Sequence, residues 1–113
     1  MSPGRYDFPR QTRGDTFKAK TFVFSQGGNP LPVVAARMQV RTSERGALVH
    51  EWITAAGTIT VASGSVTLAA VAPNLTQSMQ VGDHLYDLEI TLSDSSVFTV
   101  LSGTYPILRD TTR

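Results

Sequence analysis

From Thr16 onward, apolar and polar residues alternate in short runs with the period of two that strands require. The clearest run is 34–41. Val34, Ala36, Met38 and Val40 fall on one parity and Ala35, Arg37, Gln39 and Arg41 on the other, which predicts one dry and one wet strand face. Residues 42–46 end in glycine and read as a hairpin loop. In 47–54, Val49, Glu51 and Ile53 share one parity, and Leu48, His50 and Trp52 the other, with Leu48 and Trp52 expected in the core. After a turn at 55–57, residues 58–62 and 65–69 form two runs joined by Ser63-Gly64, a hairpin signal that turns Ile59, Val61, Val66 and Leu68 inward.

Other runs are less regular. In 16–24, Phe17 and Ala19 share one parity while Phe22 and Phe24 take the other, so a β-bulge or a doubly buried end is expected. Residues 25–30 hold two adjacent glycines and a proline and read as a loop. Asn74 precedes Gln77 at capping-box spacing, which predicts a single helical turn over 75–79. Residues 84–92 alternate again, with Tyr86, Leu88 and Ile90 inward and Asp87 and Glu89 outward. A polar turn at 93–96 leads to a strand at 97–101, a bulge or bend at Ser102-Gly103, and an edge continuation at 104–108 that tolerates Pro106. These elements predict an all-β fold: a small antiparallel immunoglobulin-like sandwich of about seven strands. A small barrel is the alternative.

Residues 1–15 carry two prolines, two glycines and no alternation, so an irregular N-terminal arm is expected before a sandwich domain at 16–113. The arm holds Tyr6 and Phe8 among Arg5, Arg10 and Arg13. Burying such rings contributes ~1.5–3 kcal/mol each, whether against this domain's own sheet edge or against a neighbouring subunit. Both placements remain open at this point. Arg13-Gly14-Asp15 spells an integrin-type tripeptide, but reads first as a loop-to-strand junction.

The chain has 113 residues, enough for one domain. Ten Lys/Arg against nine Asp/Glu leave a net charge of +1, which argues against coating a nucleic acid. The absence of cysteine excludes disulfides, thiolate catalysis and Cys-based zinc sites. No apolar run approaches the ~20 residues that span a bilayer, and the start lacks the apolar region of a signal peptide. A soluble intracellular or virion-borne domain is expected, without cofactor, membrane or small-molecule substrate.

Neither a nucleophile elbow nor a glycine-rich phosphate loop is present. His50 and Glu51, like His84 and Asp83, are strand neighbours and point to opposite faces. Asp87 and Glu89 share a face ~7 Å apart, a spacing open to an acid/base pair or a cation but more typical of a solvated strand. A metal-dependent hydrolase would use these two with His84. Trp52 and Tyr105 would be the stacking residues of a carbohydrate- or receptor-binding sandwich. The basic start and the acidic stretch at 81–96 suggest charge pairing between copies, or within one molecule.

Three segments together resemble a known family. They are Thr12-Arg13-Gly14-Asp15-Thr16-Phe17, Leu85-Tyr86-Asp87-Leu88-Glu89-Ile90-Thr91 and Leu101-Ser102-Gly103-Thr104. Their order and spacing resemble the N-terminal immunoglobulin-like domain of tailed-phage baseplate upper proteins, which attaches receptor-binding proteins to the tail. The resemblance spans residues 12–113. It implies a non-enzymatic virion protein, an assembly module of the tail, baseplate or fibre-attachment region, bound to other virion proteins and to copies of itself. That family continues into long C-terminal segments, whereas this sequence stops at Arg113. A stand-alone copy is expected to serve as a tail or fibre-attachment subunit, with capsid decoration as an alternative. The candidate partner-binding residues are Arg5, Tyr6, Phe8, Arg10, Asp87 and Glu89.

Overall fold

The computed structural model describes residues 3–43 and 45–109. The first two residues of the arm, Glu44 and residues 110–113 lie outside the described residues. In chain order the elements are β1 (Gly4–Arg5), β2 (Gln11–Thr12), β3 (Lys20–Val23), β4 (Ser25–Gln26), β5 (Asn29–Pro30), β6 (Val33–Arg41) and β7 (Leu48–Ile53). A 3₁₀ turn (Thr54–Ala56) leads to β8 (Ile59–Ala62), β9 (Ser65–Leu68), α1 (Pro73–Thr76), β10 (Gly82–Leu92) and β11 (Val97–Leu108).

The larger sheet runs β1-β11-β10-β6-β7, with β2 also on β11, and the smaller runs β3-β9-β8. The chain passes from the small sheet to the large at β3–β6, back at β7–β8, and over again at β9–β10. That connectivity makes an immunoglobulin-like sandwich. Its interior is filled by Met38, Val40, Leu88 and Ile90 from one sheet and Ile59, Val66 and Leu68 from the other. Trp52 is buried on β7, where its indole N–H donates to the Ala69 carbonyl at 3.0 Å. With no cysteine available to bridge the sheets, apolar burial and the hydrogen-bonded ladders hold the two layers together.

Three bulges shift the phase of the alternation in the larger sheet. Between Thr91 and Leu92 the β10–β6 register skips Val34, which is 53% exposed while Val33 takes the inward place. Between Val40 and Arg41 the β6–β7 register skips Val49, so Leu48 pairs with outward Arg41 and is 47% exposed. Both Val34 and Leu48 were expected in the core. Each is displaced because one extra residue on a strand flips everything beyond it to the other face. The third bulge, at Val100, lets inward Phe98 and Val100 and inward Gly103, Tyr105 and Ile107 belong to one continuous strand.

Local geometry corrects further expectations. The loop at 25–30 is a tight β4–β5 hairpin whose two glycines have φ of 58° and 82°, values that suit primed turns. Phe17 makes an isolated bridge to Val71 and regular pairing restarts only at Lys20, which explains the parity change before Phe22. The helical turn starts at Pro73, with Ala72 as its N-cap and no side-chain cap, so the Asn74 capping box does not form.

The arm is the largest difference. It runs parallel to β11 as the outermost strand of the larger sheet, through Gly4↔Leu101, Arg5↔Ser102, Gln11↔Ile107 and Thr12↔Leu108. Between these pairs Tyr6 N–H donates to Ser102 O (3.1 Å) and Phe8 N–H to Thr104 O (3.0 Å). Phe8 is buried among Tyr86, Tyr105, Phe17 and Phe22, with ring centroids 4.9 to 6.4 Å away. The Tyr86 hydroxyl donates to the Tyr6 carbonyl, 80 residues earlier (2.5 Å). Gly103 is buried directly beneath that carbonyl, and any Cβ there would collide with it. Gly103 therefore marks the close approach of another strand rather than a bend. Arg13 donates twice to Gln77 O (2.9 and 2.7 Å), and Gly14 N–H donates to the buried Thr76 hydroxyl. The Arg13-Gly14-Asp15 tripeptide thus fastens the arm's base to α1.

Gly103→Ala is expected to destabilise the domain by about 1–3 kcal/mol, as overpacking does, and to speed proteolysis within residues 3–10. Urea melts with limited proteolysis check both. The Tyr105 hydroxyl is buried without a hydrogen-bond partner, so Tyr105→Phe should raise unfolding free energy by about 1 kcal/mol; a loss of that size in the same melts would contradict the assignment. Asp7 accepts from Thr104 N–H (3.0 Å), and this bond, aided by Arg5, holds its carboxyl below the ordinary 3.8. Its contribution is complete above pH 3.8 and fades as pH falls through the lower folded value. Asp7→Asn should abolish that part of the acid limb in a stability-versus-pH series.

Candidate interaction face

Once the bulges are counted, the register sets the outer face of the larger sheet row by row. Arg5 pairs with Ser102, Ser102 with Asp87, Asp87 with Gln39, and Gln39 with Glu51, forming one row across five strands. On one side lies Thr99–Glu89–Arg37–Ile53, and on the other Thr104–Leu85–Arg41–Leu48. Charge follows the columns. β6 presents Arg37 and Arg41, and β10 beside it presents Asp87 and Glu89. A shallow cleft of about 440 Å³ crosses the face, bordered by Arg5, Arg37, Arg41, Asp87 and Glu89.

Most of these groups hold one another. Arg37 Nη2 lies 3.4 Å from Glu89 Oε1, and Arg5 Nη2 lies 3.1 Å from Asp7 Oδ1. Gln39 Nε2 donates to Glu51 Oε2 at 2.6 Å, while Arg41 donates to Gln39 Oε1 at 3.2 and 3.0 Å and to Gly46 O at 3.1 Å. Both ion pairs are exposed, so each contributes little to folding; their effect is to hold the side chains in a defined pattern. Asp87 is the exception. It sits in the middle of the face, and among the described residues no hydrogen bond or ion pair engages its carboxylate.

The six expected partner-binding residues are divided by the fold. Arg5, Asp87 and Glu89 lie on this face. Tyr6 is half-buried against Phe8 and Phe22 (ring centroids 5.0 and 5.4 Å), with Lys20 Nζ 5.0 Å from its ring centre. Phe8 belongs to the domain's own core and offers nothing to a neighbour in this arrangement, which corrects its assignment as an anchor. Arg10 is exposed between β1 and β2, away from the cleft. Sequence reasoning had Arg37, Gln39 and Arg41 outward but gave them no role, because alternation reports the face of a residue and not the strand beside it. Leu48 and Leu85, 47% and 40% exposed, were likewise missed as surface residues of the same row.

Two expected chemistries do not assemble. His84 is buried on the inward side of β10, its Nε2 2.6 Å from Gln80 O, while Asp87 and Glu89 point outward. The three proposed hydrolase residues therefore never meet. Among the described residues no group of three or more His, Asp or Glu is placed to hold a metal ion. Trp52 and Tyr105 are each 1% exposed, so neither can stack on a sugar. His50 is wedged edge-on against Trp52 (centroids 4.3 Å apart), and burial depresses its pKa.

No family model matches the chain, and no curated protein matches it. Solved structures similar to it include CopC from Methylosinus trichosporium OB3b, at 16% identity and TM-score 0.45, covering 89% of this chain and 83% of that one. Another is Drosophila OTK, extracellular domains 3-5, at 10% identity and TM-score 0.40, covering 96% of this chain and 34% of that one.

Proposed function

We propose that this domain is a non-enzymatic assembly module of a tailed-phage virion, working in the tail, baseplate or fibre-attachment region. It binds protein partners through the outer face of its larger sheet. The observation that carries the reading is the pairing of two of the three segments behind the family resemblance. Leu85, Tyr86, Asp87 and Leu88 pair residue for residue with Thr104, Gly103, Ser102 and Leu101. Within that unit, Tyr86 and Gly103 seat the arm, while Asp87 and Ser102 open onto the charged face. Two of the three segments behind the resemblance are thus neighbours in one sheet.

The character of the face supports the same reading. It is broad and shallow, its charges are arranged in columns, and its central carboxylate has no partner among the described residues. A flat, patterned surface suits protein contacts, where charge complementarity selects the partner and its register.

The test is electron microscopy of phage particles labelled with an antibody to this chain. Label at the tail or its tip is expected; label on the capsid, or on no particle, overturns the reading. Particles assembled with the Asp87→Lys/Glu89→Lys chain should carry at least tenfold less of it, with its melting temperature in solution unchanged within a few degrees. Full incorporation of that variant would remove the face from the proposal.

A further inference from the structure

The two central columns of the outer face have opposite charge and lie side by side. Such a pattern is complementary to itself. A twofold axis in the contact plane, running along the strands between β10 and β6, exchanges the columns and keeps each row at its own level. The β6 column of one copy then lies over the β10 column of the other.

We propose that this face docks on the same face of a second copy about that axis, forming an isologous dimer. The inference rests on the reading of the face as protein-binding and names its partner. Arg37 of each copy comes over Glu89 of the other, because Arg37 and Glu89 share a row. Gln39 comes over Asp87, with Arg37 and Arg41 on its diagonals, so the unpartnered carboxylate meets donors. Next out, the β7 column lies over β11. This brings Leu48 one strand spacing from Leu85 of the other copy, whereas within one chain Arg41 separates them. Both exposed leucines are covered together. Arg5, on the outermost strand, falls just beyond β7 in the row of Glu51.

Four strands of each copy overlap, ~4.8 Å apart and about seven residues long at ~3.3 Å each, which gives a face on the order of 450 Å² per copy. Standard interfaces bury about 800 Å² per partner, so this contact belongs to the smaller, weaker class. A crossing angle of about −30°, usual for stacked sheets, leaves the central columns in contact.

Reciprocal charge reversal tests the arrangement with the full chain. One variant carries Arg37→Glu and Arg41→Glu, the other Asp87→Lys and Glu89→Lys. Sedimentation equilibrium at ~100 µM, a concentration that populates micromolar complexes, should show the unmodified chain as a dimer. Each variant alone should associate at least tenfold more weakly, because like-charged columns then face each other. An equimolar mixture should regain the dimer, since one chain's carboxylates now lie over the other's lysines in one half and over its arginines in the other. That rescue also shows that the variants are folded. A monomeric unmodified chain, variants that dimerise unimpaired, or a mixture no tighter than its parts overturns the proposal. A dimer behaving as described beside unlabelled particles would sink the virion reading alone; labelled particles beside a monomeric chain would sink the dimer alone.

Discussion

The strand that closes the sandwich is the chain's own beginning. Without Gly4–Phe8, β11 would present a row of unpaired N–H and C=O groups, which is the usual liability of an exposed strand. The core would also lie open where Phe22 of the small sheet faces Tyr86 and Tyr105 of the large one. Phe8 fills that opening, and the ladder bonds from Tyr6 and Phe8 satisfy the edge. Two positions make the approach feasible: Gly103, which leaves space for the Tyr6 backbone, and Tyr86, whose hydroxyl meets its carbonyl. The base of the arm is tied down separately through Arg13, Gly14 and Thr76. Closing the interior and capping the sheet are therefore one act.

Closure on that side also shapes the outer surface. The arm adds a fifth strand beside β11, so Asp87 lies near the middle of the sheet, two strands from β7 and two from β1. Bulges at Val34, Val49 and Val100 set which residues reach the surface. They turn Leu48 out, keep Trp52 in, and let β11 bury both Val100 and Tyr105. Valine occupies the skipped place in each case. The resulting face combines two exposed leucines with a column of arginines and a column of carboxylates.

This layout separates what is buried from what is offered. The aromatic rings, the tryptophan and one histidine serve the interior, where their polar atoms meet backbone carbonyls or, for Tyr105, no partner among the described residues. Apart from Asp87, the charged groups of the outer face are held by neighbouring side chains or backbone rather than converging on a point. Such an arrangement suits contact with a surface, which is what the proposed assembly role and self-pairing require.

The alternation of side chains was enough to establish an all-β sandwich, its hairpins at 42–46 and 63–64, and inward Met38, Val40, Trp52, Val66, Leu68, Leu88 and Ile90. Those follow from a local rule, since successive residues of a strand must point to opposite faces. It also placed Arg37, Asp87 and Glu89 on wet faces. The bulges were not legible, because an extra residue in one strand is defined only by its partner. The arm was not legible as a strand, since its prolines and glycines break the period and its ladder partners, Leu101 and Ser102, lie at the far end of the chain. Which charges share a face depends on which strands are neighbours. That order is settled by closure of the core, and only the folded chain brings β6, β10, β11 and the arm side by side.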